Sequence, residues 1–421
     1  MISNTDAAGR VEPDWVRHAI WWQLYPLGFV GSYPIAPGGT VPTAGEHRLL
    51  RIVAWLDHAI ELGASGIALG PIFASSTHGY DTSDFYRIDP RLGDDADFDA
   101  LVAGCRARGI RLCVDGVFNH VAREHPIVQA ALAGGPDSEA GRWIRWVDGY
   151  PRYFEGHEAL VELDLTQPVV ADYIAEVMTH WLARGVDAWR LDAAYAQGAT
   201  VWAPILAKAT AQHPDAWVFA EVIHGDYSEF VAESGVASVT QYELWHAIWD
   251  SLNDRNFFSL DWTLKRHREF CEKFRPQTFI GNHDLSRIAT QLTDPADVPL
   301  AAALLLLLPG VPSIYAGDEQ GFTGEKQEHS SGDDAVRPPF PADPSGLLPF
   351  GKPTLAVYQE LIGIRRRHPW LTDAVVTTSE VTNTSIAIHL DGDDDGQHLT
   401  LRLNIGDEEV GGLQPHGWSV T

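Results

Sequence analysis

Along the first two-thirds of the chain, short apolar runs alternate with longer stretches whose apolar positions recur every three to four residues. Residues 19–25 read as a first strand. Leu49, Ile52, Val53, Leu56, Ala59 and Ile60 then share one helical face, so residues 49–62 read as a helix, and Gly63 stops it. The same alternation continues. Strands are read at 66–69, 110–114, 186–191, 217–220, 239–242, 278–280 and 311–315, and helices at 98–108 and 170–183, ended by Gly109 and Gly185. Repeated strand–helix units imply a parallel sheet with helices outside, and eight of them close into a (β/α)8 (TIM) barrel of the α/β class. An open doubly wound sheet is the alternative, but no glycine-rich phosphate loop follows the first strand. A short insertion after strand 3, residues 121–163, carries turn chemistry at Gly134, Gly135, Pro136 and Asp137 and again at Asp148, Gly149, Tyr150 and Pro151. Residues 355–367 read as the last barrel helix, ending before His368 and Pro369. Beyond residue 370 only short β-prone runs remain, at 374–376, 385–388 and 399–403. The organisation is therefore a barrel over 1–120 and 164–369, an insertion over 121–163, and a small C-terminal β-sandwich domain over 370–421.

Composition narrows the partners. The 421 residues carry a formal net charge of −27, which excludes nucleic acid and an anionic membrane surface as partners but suits a neutral ligand such as a sugar. The three cysteines, Cys105, Cys113 and Cys271, are odd in number and lack metal-site spacing, so reduced thiols are expected. The residues from Met1 to Asp6 show no basic region leading into an apolar stretch, and the longest apolar run, 299–308, is too short to span a bilayer. A cytoplasmic protein is expected; the oligomeric state is left open.

Several polar residues fall just past strand ends: Asp115, Arg190 with Asp192, Glu221, and His283 with Asp284. Any one of the acids, taken singly, reads more readily as a helix cap than as a catalyst. In a closed barrel, however, all these ends meet at one rim. Carboxylates gathered in this way suit glycoside cleavage through an oxocarbenium-like transition state. One attacks the anomeric carbon and another protonates the leaving oxygen, with retention when the two are about 5–5.5 Å apart. Glu221 follows the apolar run 217–220, which suits an acid. Arg190 lies two residues before Asp192, on the same side of the strand, and would hold that carboxylate ionised.

At this point the chain resembles the α-amylase family (glycoside hydrolase family 13). Residues 115–120, 185–193, 219–222 and 279–284 look like the family's four short blocks, in its order and strand positions. Pro71-Ile72-Phe73, residues 79–86 and residues 315–319 are further matches, so the likeness covers about residues 20–370. The resemblance implies a retaining α-glycoside hydrolase, with Asp192 as nucleophile, Glu221 as acid/base and Asp284 as transition-state stabiliser on the sugar hydroxyls. It implies substrate binding by Tyr80, which stacks under the sugar, by His120 and His283, by Arg190, which positions Asp192, and by Asp81 at the rim. Asp115 and Asn119 look more structural.

The chain departs from the family pattern in places. Ala193, Ala194 and Tyr195 stand where many polymer-cleaving relatives carry Lys-His, which weakens both the leaving-group grip and the family's calcium site. Asn119 leaves calcium possible but not expected, and no cofactor is expected to be required. Gly38, Gly39, Thr40, Gly45 and Glu46 stand where many α-glucosidases have a glycine- and aspartate-rich loop. These features favour small α-linked gluco-oligosaccharides as substrates. Trp143, Trp146, Tyr150 and Tyr153 in the insertion are candidate sugar contacts, and residues 321–340, with Ser330 and Ser331, are read as a mobile lid. Two alternatives stand beside hydrolysis. One is transglycosylation or isomerisation of small α-glucosides, as in trehalose-synthase-like relatives. The other is an inactive amylase-like binding protein, against which the three retained acids speak.

Overall fold

The computed structural model describes residues 12–34, 40–329 and 332–421; the N-terminal residues from Met1 to Asp6, Gly38 with Gly39, and Ser330 with Ser331 lie outside it. Eight parallel strands form the central sheet: β1 (Trp21–Leu24), β2 (Gly66–Leu69), β3 (Arg111–Gly116), β4 (Ala188–Leu191), β5 (Trp217–Ala220), β6 (Ser238–Val239), β7 (Gln277–Phe279) and β8 (Val311–Tyr315). Hydrogen bonding runs from β6 through β5, β4, β3, β2, β1 and β8 to β7. A parallel bridge between Thr240 and Gln277, with Gln241 N–H donating to the Gln277 carbonyl at 2.9 Å, joins β6 to β7 and closes the barrel.

Side chains fill the closed sheet. Trp21 and Trp217 stack across the lower interior with ring centres 6.1 Å apart, and Trp15 meets both edge-on. With Cys113, Ala188, Phe219 and Val311 they form a separate apolar layer, so the barrel's floor is packed rather than open. The apolar run near residue 300 becomes the helix Val298–Leu307, almost wholly buried because it packs between Lys352–Arg367 and Tyr242–Asn253. No helix among the described residues is long and apolar enough to cross a membrane.

Local chemistry moves several boundaries. The helix expected over 49–62 is two, Leu50–Ala54 and Leu56–Leu62. Trp55 sits between them, wholly buried, with its indole N–H on the Pro341 carbonyl at 3.2 Å. Asp94 and Asp97 form a reciprocal capping box, which starts the next helix at Asp95, ahead of its apolar face. Strand β6 is only two residues long, because the Gln241 side chain turns to accept the Leu244 N–H and begins Tyr242–Asn253. That helix and Phe257–Cys271 fill the step between β6 and β7.

The insertion rises from the C-terminal end of β3. His120–Ala122 pairs antiparallel with Leu160–Glu162, and the helix Pro126–Gly134 and a small hairpin, Trp146–Val147 with Tyr150–Pro151, complete it. After the helix Lys352–Arg367 come four antiparallel strands in sequential order: β9 (Val375–Ser379), β10 (Ser385–Asp391), β11 (His398–Asn404) and β12 (Gly417–Val420). Their inward residues Ile386, Ile388, Leu401 and Leu403 join the main core, where β9 meets Phe257–Cys271 and β12 meets Val298–Leu307.

Candidate active site

Parallel pairing aligns the ends of β3, β4 and β5. Arg190 pairs in register with Asp115 on one side and Phe219 on the other, and the Glu221 N–H donates to the Leu191 carbonyl at 2.9 Å. Asp192 and Glu221 thus leave adjacent strands at matching heights, where neighbouring strands are about 4.8 Å apart. Both carboxyls reach the same guanidinium. Arg190 Nη1 bonds Asp115 Oδ2 at 2.6 Å and Asp192 Oδ1 at 3.1 Å, while its Nη2 lies 2.9 Å from Glu221 Oε1. Two further donors hold Glu221: the Tyr242 hydroxyl at 3.1 Å and the Ala193 N–H at 2.9 Å. Ala193 supplies that N–H from a left-handed backbone (φ 45°), unusual for a residue with a Cβ and a mark of local strain just after Asp192.

Three carboxyls share one guanidinium in a buried setting. Burial pushes Asp192 well above the ordinary carboxylate range, against Arg190 and with Glu221 and Asp115 adding to the rise. Burial likewise lifts Asp115 to about 6. The net rise at Asp192 runs against the ionised state that Arg190 was expected to secure there, because burial outweighs the guanidinium.

A second group faces it across the rim. The His283 ring lies between Tyr25 (ring centres 6.1 Å apart, planes within 1°) and Tyr80 (5.3 Å, 5°). Burial lowers His283 to about 3, so the ring is neutral. Its Nδ1 accepts from Gln23 Nε2 at 3.2 Å, which leaves Nε2–H to face the Tyr80 hydroxyl and Asp284 Oδ2, the latter at 3.1 Å. Tyr80 in turn donates to Asp115 Oδ2 at 3.1 Å. Arg337 bonds Asp284 Oδ1 at 2.6 Å and the His283 carbonyl at 2.8 Å, and its guanidinium lies over the Tyr25 ring. Burial would raise Asp284, but His283, Arg337, Arg190 and Lys326 outweigh it and hold the carboxyl below its usual range.

Seven of the eight residues singled out from the sequence are joined by direct contacts at this rim; Asp81 follows Tyr80 in the chain but bonds elsewhere. Arg190, Asp192 and Glu221 meet directly, and Tyr80, His283 and Asp284 join them through Asp115. His120 donates from Nε2 to the Tyr80 carbonyl at 3.0 Å, and Asp81 accepts from the Thr77 hydroxyl at 2.6 Å. Tyr80 is half-buried and spends its hydroxyl and one ring face on Asp115 and His283. Gln23, Tyr25, Tyr242, Asn282 and Arg337 were not singled out. Asn282 donates to the Tyr242 hydroxyl at 3.2 Å and accepts the Asp284 N–H at 2.8 Å, tying the two halves together. Gln23, a polar residue inside an otherwise apolar strand, was a readable signal; Arg337, from the long loop after β8, gave none.

The insertion aromatics divide differently from expectation. Trp143 packs edge-on against Tyr173 of the barrel helix Pro168–Arg184 (5.2 Å) and seats the insertion there, while Trp146, on the Gly141 carbonyl at 2.8 Å, and Tyr153, accepting from Arg123 at 3.0 Å, bond within the insertion; Tyr150 is exposed. Phe154 is the insertion ring that meets the site, stacked 4.6 Å from His120. The expected lid is anchored at its far end: the Val336 carbonyl accepts from Arg287 at 3.0 Å and from Tyr315 at 2.8 Å, beside Arg337.

Among the described residues, two places are candidates to hold a cation. His47, Asp94 and Asp97 cluster at a helix start, but Asp94 and Asp97 are engaged in its capping box. At Asn119, the side-chain oxygen, its own carbonyl and the Leu163 carbonyl converge, and the amide nitrogen of Gln197 stands among them. These residues do not fit a bound calcium ion, because an N–H donor fills the point that a cation would take.

Comparison with known proteins bears on the family and the fold. A family model described as "Alpha amylase, catalytic domain" matches residues 43–157 and 150–345. A cyclomaltodextrinase of Geobacillus thermopakistaniensis is 30% identical over 74% of this chain and 57% of its own length. Another, from a Bacillus species, is 29% identical over 95% of this chain and 74% of its own. The ligand-free structure of the cyclic α-maltosyl-(1→6)-maltose hydrolase of Arthrobacter globiformis superposes with a TM-score of 0.83 at 27% identity, covering 97% of this chain and 99% of that one. The chain spans little more than half the length of the Geobacillus relative.

Proposed function

The chain belongs to the α-amylase family, and from that premise we propose that it is a retaining α-glycoside hydrolase acting on short α-linked gluco-oligosaccharides, cyclic ones included. The single observation that carries this reading is the pair of carboxyls on one guanidinium, Asp192 and Glu221, at the ends of adjacent strands. Asp192 attacks the anomeric carbon while Glu221 gives its proton to the departing glycosidic oxygen. Glu221, now ionised, then takes a proton from water, whose oxygen displaces Asp192 and restores the starting configuration. Arg190 keeps both carboxyls in place. Asp284, held ionised by Arg337 and His283, takes the hydroxyls of the same sugar, with His120 and Tyr80 beside it. A sugar hydroxyl in place of water would give transfer. Tyr195, whose hydroxyl reaches Glu155 of the insertion at 3.4 Å, stands where a sugar-gripping Lys-His pair is found in many relatives and favours small leaving groups.

We further propose that no cofactor takes part in the reaction. A cytoplasmic location is also proposed, and the three unpaired buried cysteines suit a reducing compartment. The test is product analysis on maltotriose, maltose and a cyclomaltodextrin with Asp192→Asn and Glu221→Gln beside the parent. The parent should release products of retained anomeric configuration, and each variant should lose at least ~1000-fold in kcat. Undiminished activity in either variant would overturn the assignment.

A further inference from the structure

The loop after β4 reaches back to the loop after β3 and to the end of the insertion through one buried side chain. Gln197 Nε2 lies 2.8 Å from Asn119 Oδ1, 3.1 Å from the Asn119 carbonyl and 3.1 Å from the Leu163 carbonyl. The orientation of each group follows from its neighbours. The Tyr80 carbonyl can only accept, so His120 carries its proton on Nε2 and presents Nδ1 as an acceptor. Burial holds that ring neutral, lowering it to about 3. Asn119 must then turn its NH2 to His120 Nδ1, at 3.0 Å, which aims its oxygen at Gln197. With two backbone carbonyls beside that oxygen, only an NH2 group can sit there. The opposite atom, Gln197 Oε1, is buried with no partner, so the side chain keeps this pose despite an orphaned acceptor.

An amide has two protons, and three oxygens compete for them. A cradle of three neutral oxygens around one positive point is what a hard cation selects, although calcium would draw its oxygens to about 2.3–2.6 Å. The observed spacing is that of N–H donors. We propose that the Gln197 amide is a built-in substitute for a structural cation at this junction, so that an internal N–H donor locks the insertion to the barrel and calcium has no role there. The proposal does not depend on which reaction the barrel catalyses, and its test reads binding and unfolding rather than activity.

The full chain is melted in millimolar EDTA and in millimolar calcium chloride, with sodium chloride as the ionic control, and calcium binding is followed by titration calorimetry. The parent's Tm should agree between EDTA and calcium to within about 1 °C. Gln197→Glu places a carboxylate among the three oxygens. It should melt lower in EDTA, regain at least ~3 °C with calcium, and bind one calcium ion that the parent does not. Gln197→Met keeps the length without the N–H and should melt several degrees below the parent with or without calcium. The proposal is overturned if calcium stabilises the parent as much as Gln197→Glu, if Gln197→Glu ignores calcium, or if Gln197→Met melts with the parent.

Discussion

Arg190→Lys tests the centre of the site without removing its charge. The guanidinium serves Asp115, Asp192 and Glu221 from two nitrogens, at 2.6, 3.1 and 2.9 Å. A lysine ammonium is a single point on a shorter reach and cannot hold three carboxyls that approach from different directions. At least one contact is lost, and Asp115, which lies deepest and closest, will keep the ammonium. A hydrogen bond to a charged group contributes roughly 1.5–3 kcal/mol. Loss of the one that orients Asp192 or Glu221 should therefore lower kcat/KM by roughly 10- to 150-fold. The direction of the pH effect is also fixed. Arg190 is the neighbour that opposes the rise of Asp192, so a weaker contact lifts Asp192 further and moves the acid limb of kcat/KM to higher pH. The assay is kcat/KM on maltotriose across the acid limb, with thermal unfolding to establish that the variant is folded. A folded variant within twofold of the parent and with an unmoved acid limb would refute the reasoning.

Tyr242→Phe removes the hydroxyl that bonds Glu221 and Asn282; kcat should fall ~10-fold or more with KM nearly unchanged, as measured by steady-state kinetics on the same substrate. Asp115 has its carboxyl raised in the fold to about 6, so its stabilising contribution is complete below the unfolded value, ~3.9, and is lost as pH rises through about 6. Urea unfolding at acidic and at neutral pH should show the parent losing up to about 3 kcal/mol relative to Asp115→Asn over that interval. An equal gap between the two proteins at both pH values would contradict the assignment.

How much of this was readable beforehand depended on whether a residue's role is local. The strands were legible because they are continuous apolar runs, and β2, β5 and β8 lie where the sequence placed them. Arg190 and Asp192 were legible because the two-residue period of a strand alone puts them on one side. The split of the first long helix was not, since nothing near Trp55 announces that the Pro341 carbonyl, far away in the chain, will take its indole N–H. The role of Arg337 was hidden for the same reason: it comes from a loop without periodicity and acquires its meaning only through Asp284 and Tyr25. The insertion aromatics misled because composition marks a ring as able to stack but does not say on what. Trp143 went to a barrel helix and Trp146 to the insertion's own backbone, while Phe154 met His120.

The site is one connected object rather than two groups that happen to share a rim. From Asp192 the contacts run through Arg190 to Asp115, through the Tyr80 hydroxyl to His283, and on to Asp284 and Arg337. Asp115 is the hinge of that chain, since a single oxygen, Oδ2, receives both Arg190 and Tyr80. A change of protonation at Asp192 is therefore felt at Asp284, and the pH profile belongs to the network rather than to any one acid. This also explains why an acid at the end of β3, which makes no contact with Glu221 of its own, is buried so completely at an energetic cost. Without its charge Arg190 would be free to swing toward either Asp192 or Glu221, and the two carboxyls would lose their fixed geometry. Substitutions along this path should accordingly combine non-additively, whereas those in the packed floor around Trp21 and Trp217, which share no partner with it, should simply add.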